Sequence, residues 1–126
     1  MYGLAPDIDL TFLRGLKLIQ ICISSVQVQL HFVPPGQAPS YTSISVEMSY
    51  AHRHCDDEHH WRFDAPVSNA SSILFLIGKT ITDFQGNSDG TLVLKFDNGD
   101  VLTFYDETQE YQAYRICHGD DPPIVV

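Results

Sequence analysis

Four of the six histidines in this chain lie in one stretch, His52-Arg53-His54-Cys55-Asp56-Asp57-Glu58-His59-His60-Trp61. Imidazole, thiolate and carboxylate all ligate transition metals, and on a strand His52 and His54 share a face. His118, beside Cys117, comes into range if the two halves of the chain are related by a twofold. The candidate metal set is therefore His52, His54, Glu58 and His118, suited to zinc, iron or nickel. A solvated loop that follows a strand and is anchored by Trp61 and Phe63 accounts for the same residues without a ligand. That reading is preferred, and no cofactor is expected.

The spacing of the histidines resembles two metal-binding patterns and departs from each. In the H-x-H-x-D-H signature of metallo-β-lactamases the last histidine is replaced by Asp57. In the H-x-H-x3-E part of a cupin motif, His52, His54 and Glu58 fit, but Val46 and Ala65 stand where glycines belong.

A second group is acidic. Asp106, Glu107 and Glu110 run beside Tyr111 and Tyr114. Paired carboxylates do acid–base work only in a pocket that shifts their pKa values; at a strand end they are a solvated edge that discourages further pairing. With Trp61, the residues Asp106, Glu107, Glu110 and Tyr111 form the candidate partner-binding set, on the reasoning that an aromatic among charges is a common hot spot. The chain has no G-x-S-x-G, no G-x-x-x-x-G-K and no H-E-x-x-H, so no catalytic residue is assigned.

Charge narrows the partners. Sixteen acidic against seven basic residues give a net charge of -9, which repels nucleic acid and anionic membranes and favours a basic protein. A homodimer is compatible with this composition. Three cysteines, Cys22, Cys55 and Cys117, form no C-x-x-C pair, so reduced thiols and a cytoplasmic location are expected. The apolar run Leu16 to Ile23 lacks the basic start of a signal peptide, and a related run recurs at Leu76 to Phe84. No run is long enough to span a bilayer as a helix.

The elements that must position these residues form a repeat. Phe12-Leu13-Arg14-Gly15 aligns with Phe75-Leu76-Ile77-Gly78, Leu30-His31-Phe32 with Leu94-Lys95-Phe96, and Ser43-Ile44-Ser45-Val46 with Val101-Leu102-Thr103-Phe104. Arg53-His54-Cys55 is then set against Arg115-Ile116-Cys117. Within each copy the apolar residues alternate with polar ones: Val26, Val28, Leu30, Phe32; Ile44, Val46, Met48, Tyr50; Leu92, Leu94, Phe96. A period of two predicts strands with one core face and one wet face. Asp89-Gly90 and Asn98-Gly99 supply hairpin turns in the second copy, and a proline-rich loop from Val33 to Ser40 replaces one hairpin in the first. Each copy opens with a short helix: one over Asp7 to Leu13, capped by Asp7, the other capped by Ser68 or Asn69 and carrying Ile73, Leu74 and Ile77.

Gln20-Ile21-Cys22-Ile23 through Gln27-Val28-Gln29-Leu30-His31-Phe32, with Asp97-Asn98-Gly99-Asp100-Val101-Leu102-Thr103-Phe104-Tyr105-Asp106 and Tyr111-Gln112-Ala113-Tyr114-Arg115-Ile116, resembles a bacterial family of short proteins catalogued only as a domain of unknown function. The resemblance implies a similar fold and a bacterial source, and carries no functional residues with it.

The expected architecture is mainly β (α+β), a single domain over residues 1–126. Two degenerate repeats, near 7–63 and 68–126, each supply a short helix and an antiparallel meander. They pack about a pseudo-twofold as a sandwich or open barrel. The expected function is a non-enzymatic interaction domain, with an immunity protein that neutralises a basic toxin as its sharpest form. The alternative is a metal-dependent enzyme or small-ligand binder built on the histidine stretch.

Overall fold

A computed structural model describes residues 3–24, 27–36, 41–47, 49–54, 57–61, 70–106 and 112–126. The described strands are β1 (Lys17–Ile23), β2 (Val28–Val33), β3 (Thr42–Val46), β4 (Ser49–His54), β5 (Asp57–Trp61), β6 (Ile81–Gly86), β7 (Leu92–Phe96), β8 (Val101–Tyr105), β9 (Tyr114–His118) and β10 (Ile124–Val125). They form two five-stranded antiparallel sheets, ordered β1-β2-β3-β9-β10 and β5-β4-β8-β7-β6. Neither closes into a barrel.

The alternation in the sequence is the burial pattern of the sheets. Val28, Leu30 and Phe32 are buried while their neighbours on β2 are not, and Leu92, Leu94 and Phe96 repeat the pattern on β7. Each large apolar side chain so buried contributes about 1.5–3 kcal/mol, which fixes the register. The two inner faces meet in one core, where Val28, Leu30 and Val46 of one sheet approach Tyr50, Leu102 and Phe104 of the other around Ile73. This arrangement is consistent with a duplicated sandwich.

The halves are related strand for strand. Gly15 N–H donates to Ile81 O (2.8 Å) and Gly78 N–H to Leu18 O (2.7 Å); Ile81 N–H donates to Leu16 O (2.8 Å) and Leu18 N–H to Lys79 O (2.9 Å). These reciprocal bonds equate Gly15 with Gly78 and Leu18 with Ile81, and they flank the bridge between Lys17 and Thr80, which lies on the pseudo-axis. The bulge between Leu18 and Gln20 recurs between Ile81 and Asp83. Phe32 opposite Leu18 thus corresponds to Phe96 opposite Ile81.

Three expectations need correction. The row Ile44 to Tyr50 is not one strand: β3 ends at Val46 in one sheet and β4 begins at Ser49 in the other. The alternation survives the crossing because both strands face the same core. By the same crossing β9 and β10 leave the second half and join the first half's sheet. The end of the repeat is also shifted. Tyr50 opposes Phe104 and Tyr114 opposes Val46, so Tyr50 corresponds to Tyr114, His52 to Ile116 and His54 to His118, two positions from the sequence alignment. Finally, the helices are 3-10 turns, Thr11–Leu13 and Ala70–Leu76. Asp9, not Asp7, accepts from the Thr11 N–H at 2.9 Å, and Ser68 and Asn69 lie outside the described residues. The 3-10 period of three buries Ile73 and Leu76 and leaves Leu74 and Ile77 exposed.

Candidate functional site

β4 carries polar side chains where a core-facing row would ordinarily be apolar. After Tyr50 come His52, only 1% exposed, and His54, whose side chain is 54% exposed. What makes this tolerable is Asp100, itself 1% exposed. It sits just before β8, after the Asn98-Gly99 turn, and the Asn98 side chain accepts its backbone N–H at 3.0 Å. Its Oδ2 is 2.8 Å from His52 Nε2 and its Oδ1 is 2.5 Å from His54 Nδ1.

Burial pushes the Asp100 carboxyl up, but the hydrogen bonds and charge of His52 and His54 outweigh it, and the net shift is below the usual carboxylate value. An ionised carboxylate can only accept, so His52 carries its proton on Nε2 and His54 on Nδ1. A buried carboxylate that orients an imidazole supplies two of the three members of a nucleophilic triad. Among the described residues, no hydroxyl or thiol is hydrogen-bonded to His54 to supply the third.

The pseudo-twofold places a simpler pair in the other sheet. Thr42 stands for Asp100, His118 for His54 and Ile116 for His52. Thr42 Oγ1 lies 2.7 Å from His118 Nδ1, and the His118 ring stacks on Phe12 with centroids 4.2 Å apart and planes 18° apart.

The structure therefore brings His52 and His54 together and separates the other two members of the candidate metal set. Glu58 opposes Arg53 in the β4–β5 ladder, on the opposite face from His52 and His54. His118 belongs to the other sheet. Among the described residues no group of three or more His, Cys, Asp or Glu side chains is placed to hold a metal ion.

The candidate partner-binding set is dispersed as well. Trp61 ends β5 opposite Tyr50, and its side chain falls outside what is described, as do Glu107, Glu110 and Tyr111. Asp106 is half-buried and accepts the Gly3 N–H at 3.1 Å. Beside it is Gly90, at φ +93°, where an added Cβ would meet Asp106 Cβ at 2.5 Å. The Gly90 carbonyl accepts the buried Tyr114 hydroxyl at 2.6 Å. Asp106 thus closes a loop contact, a structural duty that the acidic run did not reveal.

A surface that the motifs missed lies at the second 3-10 turn. Leu74, Phe75 and Ile77 are 46%, 76% and 45% exposed, and Ile19 on β1 is 45% exposed. The hydrogen bond from Gly78 N–H to Leu18 O sets Ile77 beside Ile19. Their counterparts are Thr11, Phe12, Arg14 and Thr82. There Phe12 is packed on the core and His118, while Arg14 pairs with Asp83 at 3.1 Å and lies 5.2 Å from the Phe84 ring centroid. One corner is polar and satisfied; its twin is apolar and open. The signal was present in the alignment of Arg14 with Ile77, but alignment alone does not report exposure.

No helix among the described residues is long and apolar enough to cross a membrane. No family model, curated protein or solved structure matches the chain.

Proposed function

We propose that this chain is a protein-interaction domain and that it docks through the corner formed by Ile19, Leu74, Phe75 and Ile77. One observation carries the reading: the same place in the other half is built from Thr82, Thr11, a core-packed Phe12 and an ion-paired Arg14. The fold therefore does not require exposed apolar side chains at this position. Contiguous apolar surface that folding does not require marks an interaction site, and Phe75 at 76% exposure is the kind of aromatic anchor that dominates interfaces.

The net charge of -9 favours a second reading in which the partner is basic, as for an immunity protein of the bacterial cytoplasm that blocks a toxin. In that case the carboxylate-rich surface, not the corner, makes the contact.

The test places a photo-crosslinking amino acid at position 77 or at position 14 in source cells. The expected result is a discrete adduct of one identified protein from position 77 alone, lost when Leu74→Thr and Phe75→Ser are added. Identical adducts from both positions, or none from position 77, would refute docking at this corner.

A further inference from the structure

We infer that the open edge of β1 pairs with a second copy of this chain, the two β1 strands running antiparallel about a twofold axis at Cys22. The inference goes beyond the docking corner and makes no use of Leu74, Phe75 or Ile77.

β1 ends its sheet, so β2 lies on one side of it only. Bonded and non-bonded pairs alternate along an antiparallel ladder. Ser24 N–H donates to Gln27 O at 2.9 Å, so Cys22 with Gln29 and Gln20 with His31 are the next bonded pairs. Ile21 and Ile23 therefore turn their N–H and C=O groups away from β2. Near the pseudo-axis that outer side of β1 is taken, because Leu18 exchanges bonds with Gly78 and Lys79. Past the bulge, no strand among the described residues meets Ile21 and Ile23, and Ile19 and Ile23 are exposed.

The twin edge shows how this fold closes such a side. On β6, Phe84 and Gly86 correspond to Ile21 and Ile23. Asp83 stands on that strand, paired with Arg14, and an edge charge discourages strand addition. Leu4 and Leu10 lie over Gly86, where an added Cβ would meet both at 2.9 Å. β1 has Gln20 in place of Asp83 and an exposed isoleucine in place of the covered glycine. It contains neither an acid nor a proline.

Charge selects the occupant. Two chains of net charge -9 repel each other and meet at least cost where carboxylates are absent. The sheet that β1 ends is such a place: its strands hold no Asp or Glu, whereas the other sheet carries Asp57, Glu58 and Asp83. Carboxylates farther off than the Debye length, about 8 Å at physiological salt, are largely screened. From Ile19 to Ile23 the edge has no charge of either sign, so a charged segment finds no counter-ion there. The edge is also self-complementary. With the axis at Cys22, Ile21 of each copy exchanges both backbone bonds with Ile23 of the other, which uses the open groups and avoids the bulge and the hairpin turn. The isoleucines then cover one another on the core side. The two Cys22 residues face each other in a non-bonded pair, with Cα atoms roughly 4.5 Å apart, a separation that a disulfide spans.

The experiment measures the mass of the full chain by sedimentation over a range of concentrations, for the parent, Ile23→Lys and Ile23→Pro. The N–H of residue 23 faces away from β2, so proline there removes no ladder bond. The parent should dimerise, and the dissociation constant should rise at least about tenfold in each variant. Thermal melts establish that the variants are folded; if the proline variant is not, the lysine variant decides. A second arm adds Cys55→Ser and Cys117→Ser and treats the chain with diamide, which takes up the two thiol hydrogens as a disulfide forms. A dimer joined through Cys22 should appear, and Ile23→Lys should abolish it. A monomeric parent leaves the edge to the strand of another protein and overturns the second copy. A dimer indifferent to Ile23→Lys overturns the β1 edge, and one that Ile23→Lys disrupts but diamide does not join overturns the axis at Cys22.

Discussion

The two 3-10 corners occupy equivalent places and have opposite surfaces. Both bury the same leucine, Leu13 in one and Leu76 in the other, each fully covered. Both pass a glycine amide to the opposite sheet's first strand. What differs is confined to side chains that the fold leaves free. Arg14 and Asp83 make one corner water-compatible, and Ile77 with Ile19 leaves the other apolar. A pseudo-twofold thus acts as an internal control: shared residues report what folding needs, and unshared ones what it does not. The polar pairs obey the same logic. Thr42 and His118 are a minimal solution, whereas Asp100 with two histidines exceeds it.

The sharpest way to break this comparison is at the polar pairs. Asp100→Ala leaves His52 buried without its carboxylate and should destabilise by about 3–5 kcal/mol. Thr42→Val, at the twin position, removes one hydrogen bond and should cost about 0.5–1.5 kcal/mol. Urea denaturation of both variants measures the gap, and equal losses would mean that the histidine cluster is no more than a second copy of the simple pair.

Next in size are the shared leucines. Leu13→Ala and Leu76→Ala should each lose about 2–5 kcal/mol, as should Leu94→Ala in the core row of β7. A large difference between Leu13 and Leu76 would deny the equivalence from which the rest is argued.

The corners themselves should separate in stability. Phe12→Ala removes a ring stacked on His118 and packed on the core, at about 1–2 kcal/mol. Phe75→Ala should change the thermal midpoint little, within about 0.5 kcal/mol, like Lys95→Ala on the wet face of β7. A costly Phe75→Ala would show that the ring supports the fold and would weaken its assignment to docking.

The smallest effect is one of pH. The folded Asp100 carboxyl lies below its unfolded value, near about 3.9, so its contribution is complete above that value and is lost as pH falls through the folded pKa. Acid titration of stability should therefore fall less steeply in Asp100→Asn than in the parent across that window. Parallel curves would mean that Asp100 titrates alike in the folded and unfolded chain and that its histidine partners do not lower it.

Sequence alone revealed the strands because alternation is local. Leu30 and Phe32, or Leu94 and Phe96, carry their register in five residues or fewer, and Asn98-Gly99 announces its turn. The crossing between Val46 and Ser49 was hidden because a strand that changes sheets while facing one core keeps its pattern unbroken. The tail of the repeat was misaligned by two positions because Arg53-His54-Cys55 and Arg115-Ile116-Cys117 look alike, while the ladder equates His54 with His118. Asp100 escaped notice for another reason. Read locally it belongs to a polar turn, and only the pairing of β4 with β8, which joins residues far apart in the chain, buries it against His52.

The exchange of β4–β5 and β9–β10 between sheets has a kinetic consequence. Each sheet is completed by strands from the other half, so neither repeat holds a finished sheet of its own. The first three strands of a half can zip up through neighbouring hairpins, but its fourth must wait for the other half to exist. The two seams that join the halves, β3 with β9 and β4 with β8, link distant partners, and such contacts must close long loops before they return any stability. Until β9 arrives, β3 presents an open edge of unpaired amides and carbonyls. During synthesis that edge remains uncovered while about seventy further residues emerge at about 5–20 residues per second, and this interval is when the chain is most exposed to pairing with a strand that is not its own.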